Sequence, residues 1–143
     1  MLWDMRQPAL EDLNFIRNSW LKSYRDNPAV SCVSTTVYYQ RMHAVLDNLI
    51  ADPATRCVIA CDPGMPGQIF GYGVGEVIGP DLYIHWIYTK HPFRNFGLGK
   101  ALEAELKKQP HETVKYSVRT KITDKLNMTR NYTYDPFILW SKL

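Results

Sequence analysis

Arg94-Asn95-Phe96-Gly97-Leu98-Gly99-Lys100 is the segment of this sequence best fitted to chemistry. It follows Leu82 to Thr89, the most hydrophobic run of the chain, and opens a stretch in which Leu98, Ala101, Leu102 and Leu106 recur at helical spacing. A buried strand that turns through glycines into a helix makes an anion site. The first turn of the helix leaves N–H groups unpaired, and glycine lets the loop close on a phosphate without a Cβ in the way. A pyrophosphate fits such a loop. The dinucleotide fingerprint would need Gly at Arg94 or a further Gly downstream, and a nucleotide-hydrolysing loop would need Ser or Thr where Ala101 follows Gly99-Lys100. Two residues in the preceding strands can handle protons. His85 carries a side-chain type suited to a general base, and Glu76 is the one acidic residue in a strand interior, placed to take a proton or hold a positive charge. His85 reads equally as a hydrogen-bonded core histidine, and Glu76 as a solvent-facing strand position.

The elements that must position these residues follow from periodicity. Leu2 to Arg6 alternates and meets Pro8, a short strand turning into a helix. Glu11 and Asp12 suit that helix's first turn, and Leu13, Ile16, Trp20 and Tyr24 form its apolar stripe. After a loop over 25–35, Thr35 or Thr36 caps a second helix carrying Tyr38, Met42, Val45, Leu46 and Leu49, which Asp52-Pro53 ends. Trp20, Tyr24 and Tyr38 line either an acceptor cleft or the core. Strands are predicted over 56–61, 68–77, 82–89 and 113–119, with a turn over 62–67. Gly71, Gly73 and Gly75 share one face of the second of these, which permits close approach of a backbone, a helix or a ligand. On the third, Tyr83, His85, Ile87 and Thr89 share a face by the two-residue period. A short helix and Phe137-Ile138-Leu139-Trp140, expected as a closing strand, complete a mixed α/β pattern.

The chain has 143 residues, 45% of them hydrophobic and 13% aromatic, which suits one domain over 1–143 with a real core. The net charge of +3 names no partner by itself, but 90–100 holds Lys90, His91, Arg94 and Lys100 and no acid, a local complement to phosphates. No Arg/Lys run is dense enough to favour nucleic acid. Cys32, Cys57 and Cys61 lack the spacing of a zinc site, so no metal is expected, and their odd number suits a reduced interior. Cys57 and Cys61 read as core. With no bilayer-length apolar stretch and an acidic Asp4 near the start, a cytoplasmic protein off the membrane is expected.

Leu82 to Leu106 resembles the acetyl-CoA-binding core of the GNAT superfamily of N-acetyltransferases: strand, Pro-containing loop, Arg/Gln-x-x-Gly-x-Gly/Ala, helix. The flanking elements extend the resemblance, more loosely, over nearly the whole chain. It implies a central mixed, mostly antiparallel sheet with helices on both faces, shortened at its last strand. It implies acetyl-CoA as co-substrate, its pyrophosphate on the backbone of Arg94, Asn95, Phe96, Gly97, Leu98, Gly99 and Lys100, and its pantetheine along Ile87, Tyr88 and Thr89. The implied reaction is direct attack of a primary amine on the thioester, with a backbone N–H near Ile87 or Tyr88 stabilising the oxyanion. Tyr83 and His85 stand where family members carry a base. Where many members carry a Tyr that protonates the leaving thiolate, this chain has Asn127, and Tyr132 or Tyr134 is the nearby substitute. That departure keeps a second reading open, a non-catalytic CoA-binding or protein-interaction module. The acceptor is expected to be a small-molecule or peptide amine, and an uncovered sheet edge would suit a homodimer.

Overall fold

The computed structural model describes residues 1–143. A six-stranded sheet runs in chain order: β1 (Asp4–Arg6), β2 (Thr55–Cys61), β3 (Ile69–Ile78), β4 (Asp81–Thr89), β5 (Thr113–Tyr116) and β6 (Thr133–Tyr134). The first four pair antiparallel, and β4–β5 and β5–β6 are parallel. The parallel joins require crossovers, supplied by α3 (Leu98–Leu106) and α4 (Lys121–Arg130). Helices α1 (Asp12–Tyr24) and α2 (Thr35–Ala51) cover the opposite face, so each side of the sheet has its own core. No helix is long and apolar enough to cross a membrane.

On the α1–α2 side, Trp20 stacks on Trp86 of β4 with centroids 5.1 Å apart, and the Tyr72 hydroxyl of β3 donates to the Ile16 carbonyl at 3.1 Å. Trp20, Tyr24 and Tyr38 are core residues. Cys61 is buried and Cys57 packs against the same cluster, where burial pushes its thiol up to about 11. Asp12 opens α1 with its carboxylate on Arg6 at 2.6 Å and on the Ala9 N–H at 2.7 Å, and these contacts hold its pKa below the ordinary range. The cap of α2 is Ser34, one residue ahead of the expected threonines.

On the other side α3 lies on the glycines of β3. A Cβ at Gly73 would sit 3.2 Å from Leu106, and one at Gly71 would sit 3.3 Å from Leu98 and 2.4 Å from the Tyr88 carbonyl. The glycine face therefore receives a helix.

Two expectations are corrected. Phe137–Trp140 is not a strand but one helical turn, α5, leaving the sheet unclosed. Pro136 already has helical angles and the Asp135 carboxylate accepts the Phe137 N–H at 3.1 Å, so the turn starts there. Four apolar residues are too few for periodicity to separate helix from strand. The face shared by Tyr83, His85, Ile87 and Thr89 is also broken. Gly75 pairs with Ile84 and Val74 with Trp86, so His85 is an extra residue in β4, a β-bulge that reverses the alternation beyond it. Ile87 joins the α3 core, while Trp86 and Tyr88 pack on the α1–α2 side.

Candidate active site

The glycine loop has the form its residue types demand. A 3₁₀ turn over His91–Phe93 leads into it, Arg94 Nε donates to the Thr89 carbonyl at 3.0 Å, and Phe93 packs on Phe70 with centroids 4.3 Å apart. Asn95 and Gly97 take positive φ values of 70° and 83°, and Gly97 caps α3 without any side-chain bond. The N–H groups of Asn95, Phe96, Gly97, Leu98, Gly99 and Lys100 find no acceptor within the protein. A run of unpaired donors at a helix N-terminus, with a left-handed glycine at its centre, is a cradle for a multivalent anion. Arg94 and Lys100 are the basic residues of this segment, while the Lys90 ammonium lies over the Phe15 ring of α1, 4.9 Å from its centroid. A CoA pyrophosphate fits this donor set.

β4 and β5 run side by side only from Asp81 to Ile84, and the Ser117 N–H donates the last bond between them, to the Ile84 carbonyl at 3.1 Å. Beyond it the strands part, and Ile87, Tyr88 and Thr89 lie on the free arm of β4, running toward the glycine loop. The bulge sits at the fork. There His85, with no exposed surface, is bridged on both ring nitrogens: Nδ1 lies 2.6 Å from Ser117 Oγ and Nε2 lies 2.8 Å from Glu76 Oε1. A carboxylate can only accept, so Nε2 is assigned the proton and Nδ1 accepts from the Ser117 hydroxyl.

Glu76 is 1% exposed, not solvent-facing, and its second partner is Lys142, whose Nζ lies 3.1 Å from the carboxylate and 3.3 Å from Asp52 at the end of α2. Burial pushes the Glu76 carboxyl up, but the hydrogen bond from His85 and the Lys142 ammonium outweigh it and hold the pKa below the ordinary range. The same exchange raises Lys142, whose desolvation is outweighed by Glu76 and Asp52.

Tyr83 joins this group, its ring parallel to that of His85 at 6.3 Å. Tyr132 does not. Its hydroxyl donates to Glu103 of α3 at 2.8 Å and accepts from Lys107, the residue that caps the C-terminus of α3, at 2.9 Å, and Arg130 completes the set by donating to Glu103 at 2.9 Å. Asn127 lines a shallow cleft of about 500 Å³ with Tyr116, Arg119 and Lys125, and its Oδ1 has no partner. Sequence reasoning missed Ser117, Asp52 and Lys142. Ser117 carried the weak signal of lying in a predicted strand, whereas nothing in the local pattern marks a lysine that reaches β3 from beyond α5.

The family model for the acetyltransferase (GNAT) family matches residues 13–126. No curated protein matches the chain. A Pyrococcus furiosus protein described as an acetyl transferase superposes with a TM-score of 0.74 at 14% identity, over 92% of this chain and 93% of that one. The PaiA N-acetyltransferase of Thermoplasma acidophilum in complex with coenzyme A gives 0.60 at 16% identity, over 90% and 86%. The ribosomal-protein-alanine N-acetyltransferase of Brucella melitensis biovar Abortus gives 0.58 at 19% identity, over 89% of each chain.

Proposed function

The chain belongs to the GNAT family of acetyltransferases, and from that premise we propose that it moves an acetyl group from acetyl-CoA to a primary amine by direct attack on the thioester. The observation that carries this reading is the run of unpaired N–H groups from Asn95 to Lys100 on the arm that leads to the His85 fork. When bound, acetyl-CoA supplies the activated acetyl carbonyl. The loop holds its phosphates, and the backbone of Ile87, Tyr88 and Thr89 lies along its length. The Glu76–His85 pair takes the proton that an amine must lose before it can attack, with Ser117 fixing the ring and Tyr83 walling the pair. Tyr132 is a positioning residue in this scheme, tying α4's C-terminal end to α3 through Glu103.

Free thiol release with acetyl-CoA and a panel of primary amines tests the reading, alongside native mass spectrometry for retained CoA. Turnover that falls 100-fold or more in His85→Ala is the expected outcome. CoA binding without turnover on any amine or peptide would favour the non-catalytic module, and no CoA binding would overturn both.

A further inference from the structure

The ammonium group of Lys142 is held inside the protein, on the carboxylate that also pairs with His85 at the fork. It lies on Glu76, which is hydrogen-bonded to His85 at the fork, and its second carboxylate is Asp52. Its side chain is only 13% exposed, so its four methylenes are packed within the protein on the way from the surface to a carboxylate that is 1% exposed. The backbone at Lys142 is held separately. Asn48 donates to the Lys142 carbonyl at 2.6 Å and Leu139 is fully buried, so the side chain can leave while its segment stays in place. Glu76 has His85 as a second partner, so removing the Lys142 side chain would leave a buried carboxylate with one open side and the volume of an alkyl chain leading to it.

We propose that Glu76 and Asp52 form the acceptor's ammonium subsite, that Lys142 fills it from within the chain, and that the acceptor is a primary ammonium on an unbranched alkyl chain. The proposal rests on the acetyl-transfer reading for the word acceptor, but the binding site does not. A lysyl side chain or a linear diamine has the required form, and a branched or aromatic amine does not enter. Lys142 competes with every acceptor, so its removal improves acceptor binding.

The test is thermal melting without acetyl-CoA. Lys142→Ala opens that volume, and n-butylammonium should raise its Tm by about 4 °C at ten times the dissociation constant. Lys142→Met, whose side chain still fills that volume, should show no rise, nor should the Lys142→Ala, Glu76→Gln double variant or Lys142→Ala with tert-butylammonium. No rise in folded Lys142→Ala, or an equal rise in Lys142→Met, overturns the proposal. Should Lys142→Ala not fold, the wild-type Lys142 Nζ resonance decides: n-butylammonium should shift it, and an unmoved signal overturns the subsite. Thiol release is measured separately, so the subsite can fail while acetyl transfer stands, and the converse.

Discussion

Glu76 and His85 meet diagonally across adjacent strands, Oε1 to Nε2 at 2.8 Å, with the carboxylate 1% exposed and the ring wholly buried. Two consecutive residues of β4 serve the same side there: His85 turns to Glu76 while Trp86 stacks on Trp20. The bulge makes both contacts available at once. Replacing Glu76 with Leu leaves the His85 ring nitrogen without its acceptor and strips Lys142 of its buried partner. A loss of about 3 to 5 kcal/mol is expected from urea denaturation, and an unchanged midpoint would show that the pair does not hold the fork.

Gly71 has a different role, since a Cβ there would lie 2.4 Å from the Tyr88 carbonyl, a backbone atom that can yield only by moving β4. Gly71→Ala should therefore cost about 1 to 3 kcal/mol, and because Tyr88 lies on the arm leading to the loop, the KM for acetyl-CoA should rise as well. Gly67→Ala is the control, with nothing within 4 Å of the added carbon. Equal melting temperatures for the two variants would contradict the packing argument.

The parts of the fold legible in the sequence are those where one local signal decides. The α1 and α2 stripes, the glycine face of β3 and the loop into α3 each combine a clear period with turn chemistry, and each forms as read. The bulge at His85 has no local signature, because an uninterrupted apolar run looks the same with or without an extra residue. It reverses Ile87 and Thr89 relative to His85, which no two-residue count could anticipate. The cluster around Glu76 depends on residues from β3, β4, α2's end and the segment after α5, so only the assembled chain brings Lys142 to it.

Gly97 holds φ at 83°, where any L-residue is strained by roughly 1 to 2 kcal/mol. Open space surrounds it, so Gly97→Ala acts through the backbone alone. Relief of the strain turns the neighbouring N–H groups away from a common point. CoA affinity should fall roughly tenfold with little change in Tm, and calorimetric titration reads both the affinity and its salt dependence. An unaltered affinity would mean that the loop does not bind the cofactor through its backbone.

Tyr132→Phe separates anchoring from chemistry. The Tyr132 hydroxyl is bonded to Glu103 of α3 and to Lys107 at its C-terminal cap, so its removal should cost about 1 kcal/mol of stability. The kcat should stay within about twofold, because a residue that transfers a proton in the rate-limiting step contributes roughly 100-fold or more. A 100-fold fall in kcat with stability preserved would place the phenol in the reaction.

The pH dependence of stability follows from the sign of each shift. The folded Glu76 pKa lies below its ordinary value, so the unfolded chain binds the proton more readily. The stabilisation is therefore complete above the unfolded carboxyl value of about 4.3 and is lost as pH falls through the lower, folded value. Lys142 behaves oppositely: its folded pKa is raised, so its contribution is complete below the unfolded value of about 10.4 and is lost as pH rises through the higher, folded one. Between these limits the stability gap between wild type and Glu76→Gln should stay flat, and below about pH 4 it should close. Urea midpoints of both proteins from pH 3 to 9 measure it, and a gap that instead widens on acidification would mean that the buried carboxyl is protonated in the native state.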